Sequence, residues 1–173
     1  KSPDERILIK LTPTSEGWDL RVNYEESEVI SSGQLSIKAL NERGEVAMRG
    51  KVEPVTREAV DRWIEPVVSQ KSSRILEKYH GLTLRRPNGI TLEVRAFNDG
   101  VGYRFKSDFG ERIKIEEEGL KLKFPEGATS YFPEESGFIS HNERHYGLRK
   151  LGELDETNLA SLPLMVNTGG DRR

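Results

Sequence analysis

The sequence of 173 residues contains no cysteine. Disulfide bonds, thiolate metal sites and cysteine nucleophiles are therefore excluded within it, although the cellular compartment stays open. It also lacks any apolar run that approaches the roughly 20 residues of a membrane-spanning helix. The formal net charge is only -2, so no global basic field would recruit nucleic acid or an anionic membrane. We therefore expect neither a nucleic-acid partner nor a membrane span.

The composition is polar but patterned. Apolar residues make up 34% of the sequence and charged residues 32%. Because the apolar residues alternate with polar ones, a folded chain with sheets that are solvated on one side is favoured over disorder. The length predicts a single domain over residues 1–173 with a core of its own.

Both ends of the sequence suggest a piece of a longer protein. The chain begins at Lys1 without a methionine, which fits a processed protein whose signal peptide has been removed. Residues 159–166 have the pattern of an apolar strand. Residues 169–173 have the composition of a turn, but no further strand follows it in the sequence. We expect a truncated N-terminal domain.

The clearest structural signal lies in residues 90–105. Apolar residues alternate with polar ones from Ile90 to Ala96 and again from Val101 to Phe105. Asn98-Asp99-Gly100 separates the two stretches, and these residues tolerate the positive φ of a tight turn. The pattern predicts a β-hairpin.

Similar alternation recurs along the chain, with turns predicted at residues 13–17, 41–44 and 87–89. The pattern indicates an all-β protein, an antiparallel β-sandwich of about a dozen short strands with little helix. Two stretches differ. Residues 55–67 have apolar residues at helical spacing, which leaves helix and strand equally open, and residues 125–137, rich in Pro, Gly and Glu, predict a loop.

The segment His141-Asn142-Glu143-Arg144-His145 is the first candidate for a metal site. On a helix the two histidines would share a face, as in zinc proteases, but the glutamate stands one position too late for that motif. On an extended strand they would lie about 13 Å apart, too far for one metal. Neighbouring glycines disfavour a helix, so we interpret the segment as a polar loop.

Two runs of acidic residues, 116–118 and 134–135, invite comparison with the paired carboxylates of glycosidases. Sequence neighbours on a strand point to opposite faces, so solvated charge is the better interpretation. Gly100-Val101-Gly102 lacks the third glycine and the helix of a dinucleotide-binding loop.

The aromatic residues offer a weaker signal for sugar binding. The candidates for stacking on a sugar ring are Trp18, Trp63, Tyr131 and Phe132. Trp18 belongs to an alternating apolar set, which favours core packing. The residues alone thus predict a β-sandwich without a self-evident active site, a type common among accessory and sugar-binding modules.

Several short motifs, in order along residues 2–166, resemble the N-terminal domain of glycoside hydrolase family 97. Residues 95–105 are similar to the family's RAFNDGVAFRY-type stretch. Weaker similarities occur at residues 2–7, 63–67, 78–82, 117–124 and 142–146. The sequence departs from the usual residues at Glu5, His80, Gly81 and Asn142.

The resemblance implies the N-terminal β-supersandwich of a three-part enzyme with a central (β/α)8 barrel and a C-terminal β-domain. Family members are exo-acting α-glucosidases or α-galactosidases of the bacterial periplasm that act on oligosaccharides. The catalytic carboxylates belong to the barrel, so the resemblance places no catalytic residue in this chain, and the chain alone is expected to be inactive. It also implies that this domain packs on the barrel and lends residues to the active-site rim, and it favours extended structure at residues 55–67.

The same resemblance implies calcium near the active site of the full-length enzyme, with one glutamate ligand from this domain. Glu143 is the best candidate in this chain, because it lies in the element similar to the family's YE..Y motif. The alternative is a glutamate just beyond Arg173. Calcium takes several oxygen ligands, so a single glutamate would not bind it alone.

A second function stays open: a free-standing carbohydrate-binding sandwich without enzymatic activity. It would require exposed aromatic residues on one face and affinity for sugars by the chain itself.

Overall fold

The computed structural model describes residues 1–46, 51–53, 56–69 and 71–169. The chain divides into two compact units, the first over residues 1–123 and the second from residue 124 onward. The strands are β1 (Ile7–Pro13), β2 (Gly17–Tyr24), β3 (Ser27–Asn41), β4 (Gly44–Glu45), β5 (Thr56–Ile64), β6 (Ile75–Arg85), β7 (Ile90–Ala96), β8 (Val101–Ser107), β9 (Lys114–Lys123), β10 (Thr129–Glu135), β11 (Tyr146–Lys150), β12 (Leu159–Ala160) and β13 (Met165–Asn167). The prediction of a single domain over residues 1–173 stays a prediction.

The first unit is a β-sandwich, as the alternation predicted. One antiparallel sheet has the order β1-β2-β3-β4, with β9 also paired to β3, and the second has the order β5-β6-β7-β8. Alternate residues of β7 are buried along its whole length. Trp18 and Leu35 of the first sheet and Ile90 and Leu92 of the second are fully buried in one apolar cluster. The prediction that Trp18 is a core residue is confirmed.

The structure contains the predicted hairpins. They could be predicted because the turn residues that specify a hairpin lie next to its strands in the sequence. The turn between β7 and β8 is closed by the Phe97 amide, which donates to the Gly100 carbonyl at 2.9 Å. β8 then continues as strand, so the two glycines at 100 and 102 serve a hairpin rather than a dinucleotide-binding loop. The turn between β6 and β7 has Gly89 at φ 84°, a backbone conformation that favours glycine.

The second unit contains a correction to the sequence interpretation. Residues 125–137 were predicted to be a loop, but β10 occupies Thr129–Glu135 and pairs with β11, β12 and β13. Pro133 lies within β10 at the last register position shared with β11. A proline is tolerated there because the β11 ladder ends at that point. The apolar strand predicted over residues 159–166 is two short strands, β12 and β13.

The uncertain stretch at residues 55–67 is extended, as the family resemblance favours: β5 covers Thr56–Ile64. Residue 55 lies outside the described residues, as do residues 47–50, which follow the turn predicted at residues 41–44. No helix of the described residues has the length and hydropathy to cross a membrane.

Arg86 is a buried cation of the first unit, 2% exposed. Its guanidinium lies 4.8 Å from the ring centre of Trp18 and donates to the carbonyls of Thr14 and Gly17 at 2.9 and 2.7 Å. Burial lowers the pKa of this guanidinium from its ordinary value. The side chain therefore ties the β1–β2 turn to the turn that follows β6.

Replacing Arg86 by methionine is expected to lower the free energy of unfolding by about 3 kcal/mol, since the change removes charge-assisted hydrogen bonds and leaves the Thr14 carbonyl without this donor. The measurement is the urea midpoint of the full-length protein's transition that reports on this domain. Arg85→Met is the matched control, because Arg85 is an exposed partner of Asp108, and such pairs contribute about 0–1 kcal/mol. Equal losses in the two variants would contradict the assigned role.

Candidate functional site

The candidate site is the loop of residues 136–145, which joins β10 to β11 in the second unit. Its two ends are fastened together: the Arg144 Nε donates to Glu135 Oε2 at 2.8 Å. The carboxylate of Glu135 is almost fully buried, with 3% of its side chain exposed. Within the loop, the Asn142 amide donates to the Ser140 hydroxyl at 3.0 Å, and Asn142 has φ 57°. These contacts give the loop a defined course.

The electrostatics of this anchor favour a charged Glu135. Hydrogen bonds from the Ser140 hydroxyl and from Arg144 hold the pKa of Glu135 below its ordinary value of 4.5. A lowered pKa means that the carboxylate stays ionised as the pH falls through the usual glutamate range. The contribution of the ion pair to stability is present above that range and is lost only when the pH falls through the lowered pKa.

The structure places Glu143 one residue before the anchoring arginine, on the exposed part of the loop. His141 and His145 flank it and are also exposed, and the segment is neither helix nor strand. The prediction of a polar loop is confirmed. Across the described ranges, no three His, Asp or Glu side chains come close enough together to hold a metal ion. Glu143 can therefore serve as one ligand among several only if the others come from elsewhere.

The acidic runs do not form a catalytic pair. Glu134 and Glu135 project to opposite sides of β10, where Glu134 binds Arg149 and Glu135 binds Arg144. In the run at residues 116–118 all three residues are exposed on β9. The prediction of solvated charge is confirmed for this run, but it is wrong for Glu135, which is buried and paired with Arg144.

The four candidate aromatic residues divide into two groups. Trp18 and Phe132 are buried, whereas Trp63 is 57% exposed and Tyr131 is 44% exposed. Tyr131 lies between Leu148 of β11 and Met165 of β13 in the register of the small sheet. We call Tyr131, Leu148 and Met165, which are all exposed, the apolar stripe.

A cavity of about 590 Å³ lies in the first unit. Apolar side chains of β1, β6 and β7 line it, with Lys10, Arg57 and His80 among the polar residues. Among the described residues around it, Glu53 is the only acid. The cavity therefore lacks the two carboxylates that glycoside hydrolysis requires.

Sequence reasoning singled out Glu143 but missed the pair that positions its loop. In the sequence, Glu135 belongs to an acidic run and Arg144 to the histidine segment. Their separation of nine positions matches no helical or strand period. Because the sequence predicts a loop over residues 125–137, it gave no signal that Glu135 would be buried in a strand and paired with Arg144.

The fold and this loop define an all-β module in which neither the acidic runs nor the cavity supplies a catalytic carboxylate pair, and whose described residues hold no complete metal site. The family model described as "Glycosyl-hydrolase 97 N-terminal" matches residues 1–172. The chain therefore belongs to the N-terminal domain family of the glycoside hydrolase 97 enzymes, and the resemblance seen in the sequence is confirmed.

Individual relatives agree with this assignment. A "Retaining alpha-galactosidase" of Bacteroides thetaiotaomicron is 31% identical over 128 residues, which cover 69% of this chain and 19% of that protein. A glycoside hydrolase family 97 enzyme of a Pseudoalteromonas species, solved with panose, has a TM-score of 0.76 at 18% identity, over 97% of this chain and 26% of that one. A glycoside hydrolase family 97 enzyme of the same strain, solved with acarbose, has a TM-score of 0.69 at 18% identity, over 87% of this chain and 24% of that one. The chain thus spans about a quarter or less of these relatives, and the two structures show a shared fold.

Proposed function

We propose that this chain is the N-terminal β-domain of an exo-acting α-glycosidase, where it supports a catalytic barrel and forms part of the active-site rim. The observation that carries the proposal is the family match over residues 1–172. The short span of the chain within its relatives supports a role as one part of a larger enzyme. Catalytic carboxylates would come from the barrel, since neither the acidic runs nor the cavity supplies such a pair.

The surface of the second unit supports packing on another domain. The apolar stripe is exposed, and Phe138 and Ile139 on the loop are almost fully exposed. Clustered apolar surface on a soluble protein marks a place of contact with something else. In this proposal the barrel covers part of it, and the loop carries Glu143 to the rim.

The names and titles of the relatives support a proposal for the substrate class. One relative carries the name of an α-galactosidase, and family 97 enzymes of the Pseudoalteromonas strain were solved with panose and with acarbose. We therefore propose an oligosaccharide substrate with a terminal α-galactoside or α-glucoside. A periplasmic or secreted location is part of the same proposal, because the family resemblance implies it.

Calcium is proposed as the metal of the full-length enzyme, with Glu143 as the one ligand from this chain. The exposed carboxylate is a hard oxygen donor of the kind that calcium takes. The anchored loop would hold it in place, because Glu135 and Arg144 fix the loop on both sides of it. When bound, calcium would supply positive charge beside the substrate.

The test is hydrolysis of aryl α-galactoside and aryl α-glucoside by the full-length protein, with and without a calcium chelator. We expect one of the two glycosides to be cleaved, and we expect the chelator to abolish most of the rate. The isolated chain of residues 1–173 is assayed in parallel and is expected to show no activity. Hydrolysis by the isolated chain would contradict the accessory role.

The second candidate is a free-standing carbohydrate-binding module, which the exposed Trp63 and Tyr131 favour. It predicts that the chain alone binds sugars and that the full-length protein cleaves neither glycoside. The two functions are therefore separated by the same experiment once sugar binding by the chain is measured alongside.

A further inference from the structure

Strands β5 and β6 continue beyond the rest of their sheet. β6 pairs with β7 only from His80 to Arg85, whereas its pairing with β5 extends on to Ile75. Over residues 60–64 and 75–79 the chain is therefore a two-stranded ribbon, within the part of the chain that the structure describes. We call this ribbon, with the connection between its strands, the β5–β6 arm.

The end of the arm is apolar on both faces. Trp63 lies opposite Leu76 on one face, and Ile64 lies opposite Ile75 on the other. All four side chains are exposed by more than a third of their surface. In the connection, Val67 is fully exposed. A two-stranded ribbon is marginally stable in water by itself, and one with two uncovered apolar faces has no core to bury them in.

The charged residues on the two strands of the arm form ion pairs, and Glu77 also pairs with Arg95 of β7. Arg62 donates to Glu77 at 2.7 Å, and Lys78 binds Asp61 across the two strands. These pairs lie at the base of the arm, and the apolar residues lie at its end. The connection at the end of the arm also carries Glu65, Lys71 and Arg74, so a surface that receives the apolar residues has to leave these charged side chains in water or pair them.

The arm also differs from an ordinary aromatic sugar platform. The guanidinium of Arg74 lies 5.1 Å from the ring centre of Trp63, in a cation–π contact that covers part of the indole. Across the two strands, Trp63 lies opposite the aliphatic side chain of Leu76. The partner that fits such a surface is an apolar protein surface.

We propose that the end of the β5–β6 arm inserts into an apolar cleft formed by the remainder of the same polypeptide in the full-length protein. A flat partner would cover one face of the ribbon and leave the other in water, so two apolar faces require a cleft. The occupant is the rest of the polypeptide because the relatives extend well beyond the matched region, which fills 26% of one and 19% of another. The inference rests on the proposed function only in that the chain is part of a longer protein.

The experiment uses the full-length protein with Val67→Cys, labelled by a small maleimide and quantified by mass spectrometry on the peptide that carries residue 67. Ser15→Cys is the matched control, because Ser15 lies in the exposed β1–β2 turn. We expect labelling at residue 67 to be at least about tenfold slower than at residue 15, because only a minor open form would react. Adding Trp63→Ser and Ile64→Ser to the Val67→Cys variant should bring the rate close to that of the control.

Equal labelling at residues 67 and 15 in the unmodified background would overturn the proposal. Protection that disappears on dilution would also overturn it, since it would assign the arm to a second copy of the protein. The readout is independent of hydrolysis. A protein that protects residue 67 but cleaves neither glycoside would refute the proposed function alone, and an active protein with an unprotected residue 67 would refute the arm alone.

Discussion

Full-length protein carrying Glu143→Gln is expected to hydrolyse its glycoside about 100-fold more slowly than the unmodified protein at low calcium. Glutamine keeps the size of the side chain but removes the negative charge, and calcium affinity depends strongly on the charge of its ligands. Losses of about 10–100-fold follow even when a residue that only supports a ligand is changed. High calcium should restore much of the rate, because the remaining ligands would still form a weaker site.

The control for this prediction is Glu126→Gln, an exposed glutamate in the turn before β10. It should leave both the rate and the calcium dependence unchanged. If Glu143→Gln behaves like this control, Glu143 is not a calcium ligand, and the ligand from this region has to be sought at another glutamate. Loss of activity that no concentration of calcium restores, with an altered melting temperature, would indicate a structural role.

The second large effect is expected from Gly17→Ala at the start of β2. A methyl group at this position would lie 1.9 Å from the carbonyl oxygen of Leu35 on the neighbouring strand. The obstacle is backbone of β3, so no side-chain rotation relieves it. We expect a loss of at least about 4 kcal/mol, the range of exceptional single substitutions and a large part of the stability of a typical domain.

Gly102→Ala is the matched control, because Gly102 is also a strand glycine but the nearest atom to an added methyl group is 3.9 Å away, on Phe97. It should be neutral or slightly stabilising, by up to about 1 kcal/mol. Urea denaturation and the soluble yield of both variants, measured in the full-length protein, would check the pair. A folded Gly17→Ala variant with an unchanged midpoint would contradict the close approach of β2 and β3.

The sequence was sufficient to predict the hairpins and the all-β class. Turn residues such as Asn98 and Gly89 act within a few positions of the strands that they join, so their signals survive in a single sequence. The buried position of Trp18 was equally accessible, since alternation marks one face of a strand.

The sequence pattern predicts the wrong structure for β10 and does not decide between helix and strand for β5. Both failures have the same physical cause. β10 carries Pro133 and two glutamates, and its strand structure depends on pairing with three other strands. In the arm, Trp63 and Ile64 are both apolar although they face opposite sides, and this removes the alternation that identifies a strand. Contacts made far away in sequence decided both cases, and composition could not reveal them.

The candidate site was predicted only in part. The family resemblance pointed to Glu143, while the anchor formed by Glu135 and Arg144 became visible only in three dimensions. Whether Glu143 binds calcium depends on ligands outside the described residues, so it stays a prediction.

The pairing of β9 with β3 also has a consequence during protein synthesis. Ser32 of β3 meets Lys123 of β9, so β4 to β8 are all synthesised before β9 can pair with β3. At about 5–20 residues per second, the ribosome needs several seconds for this interval. Throughout it the nascent chain carries an open sheet edge, of the kind that pairs with other chains. Chaperones that shield nascent chains are therefore expected to bind this protein until residue 123 has left the ribosome.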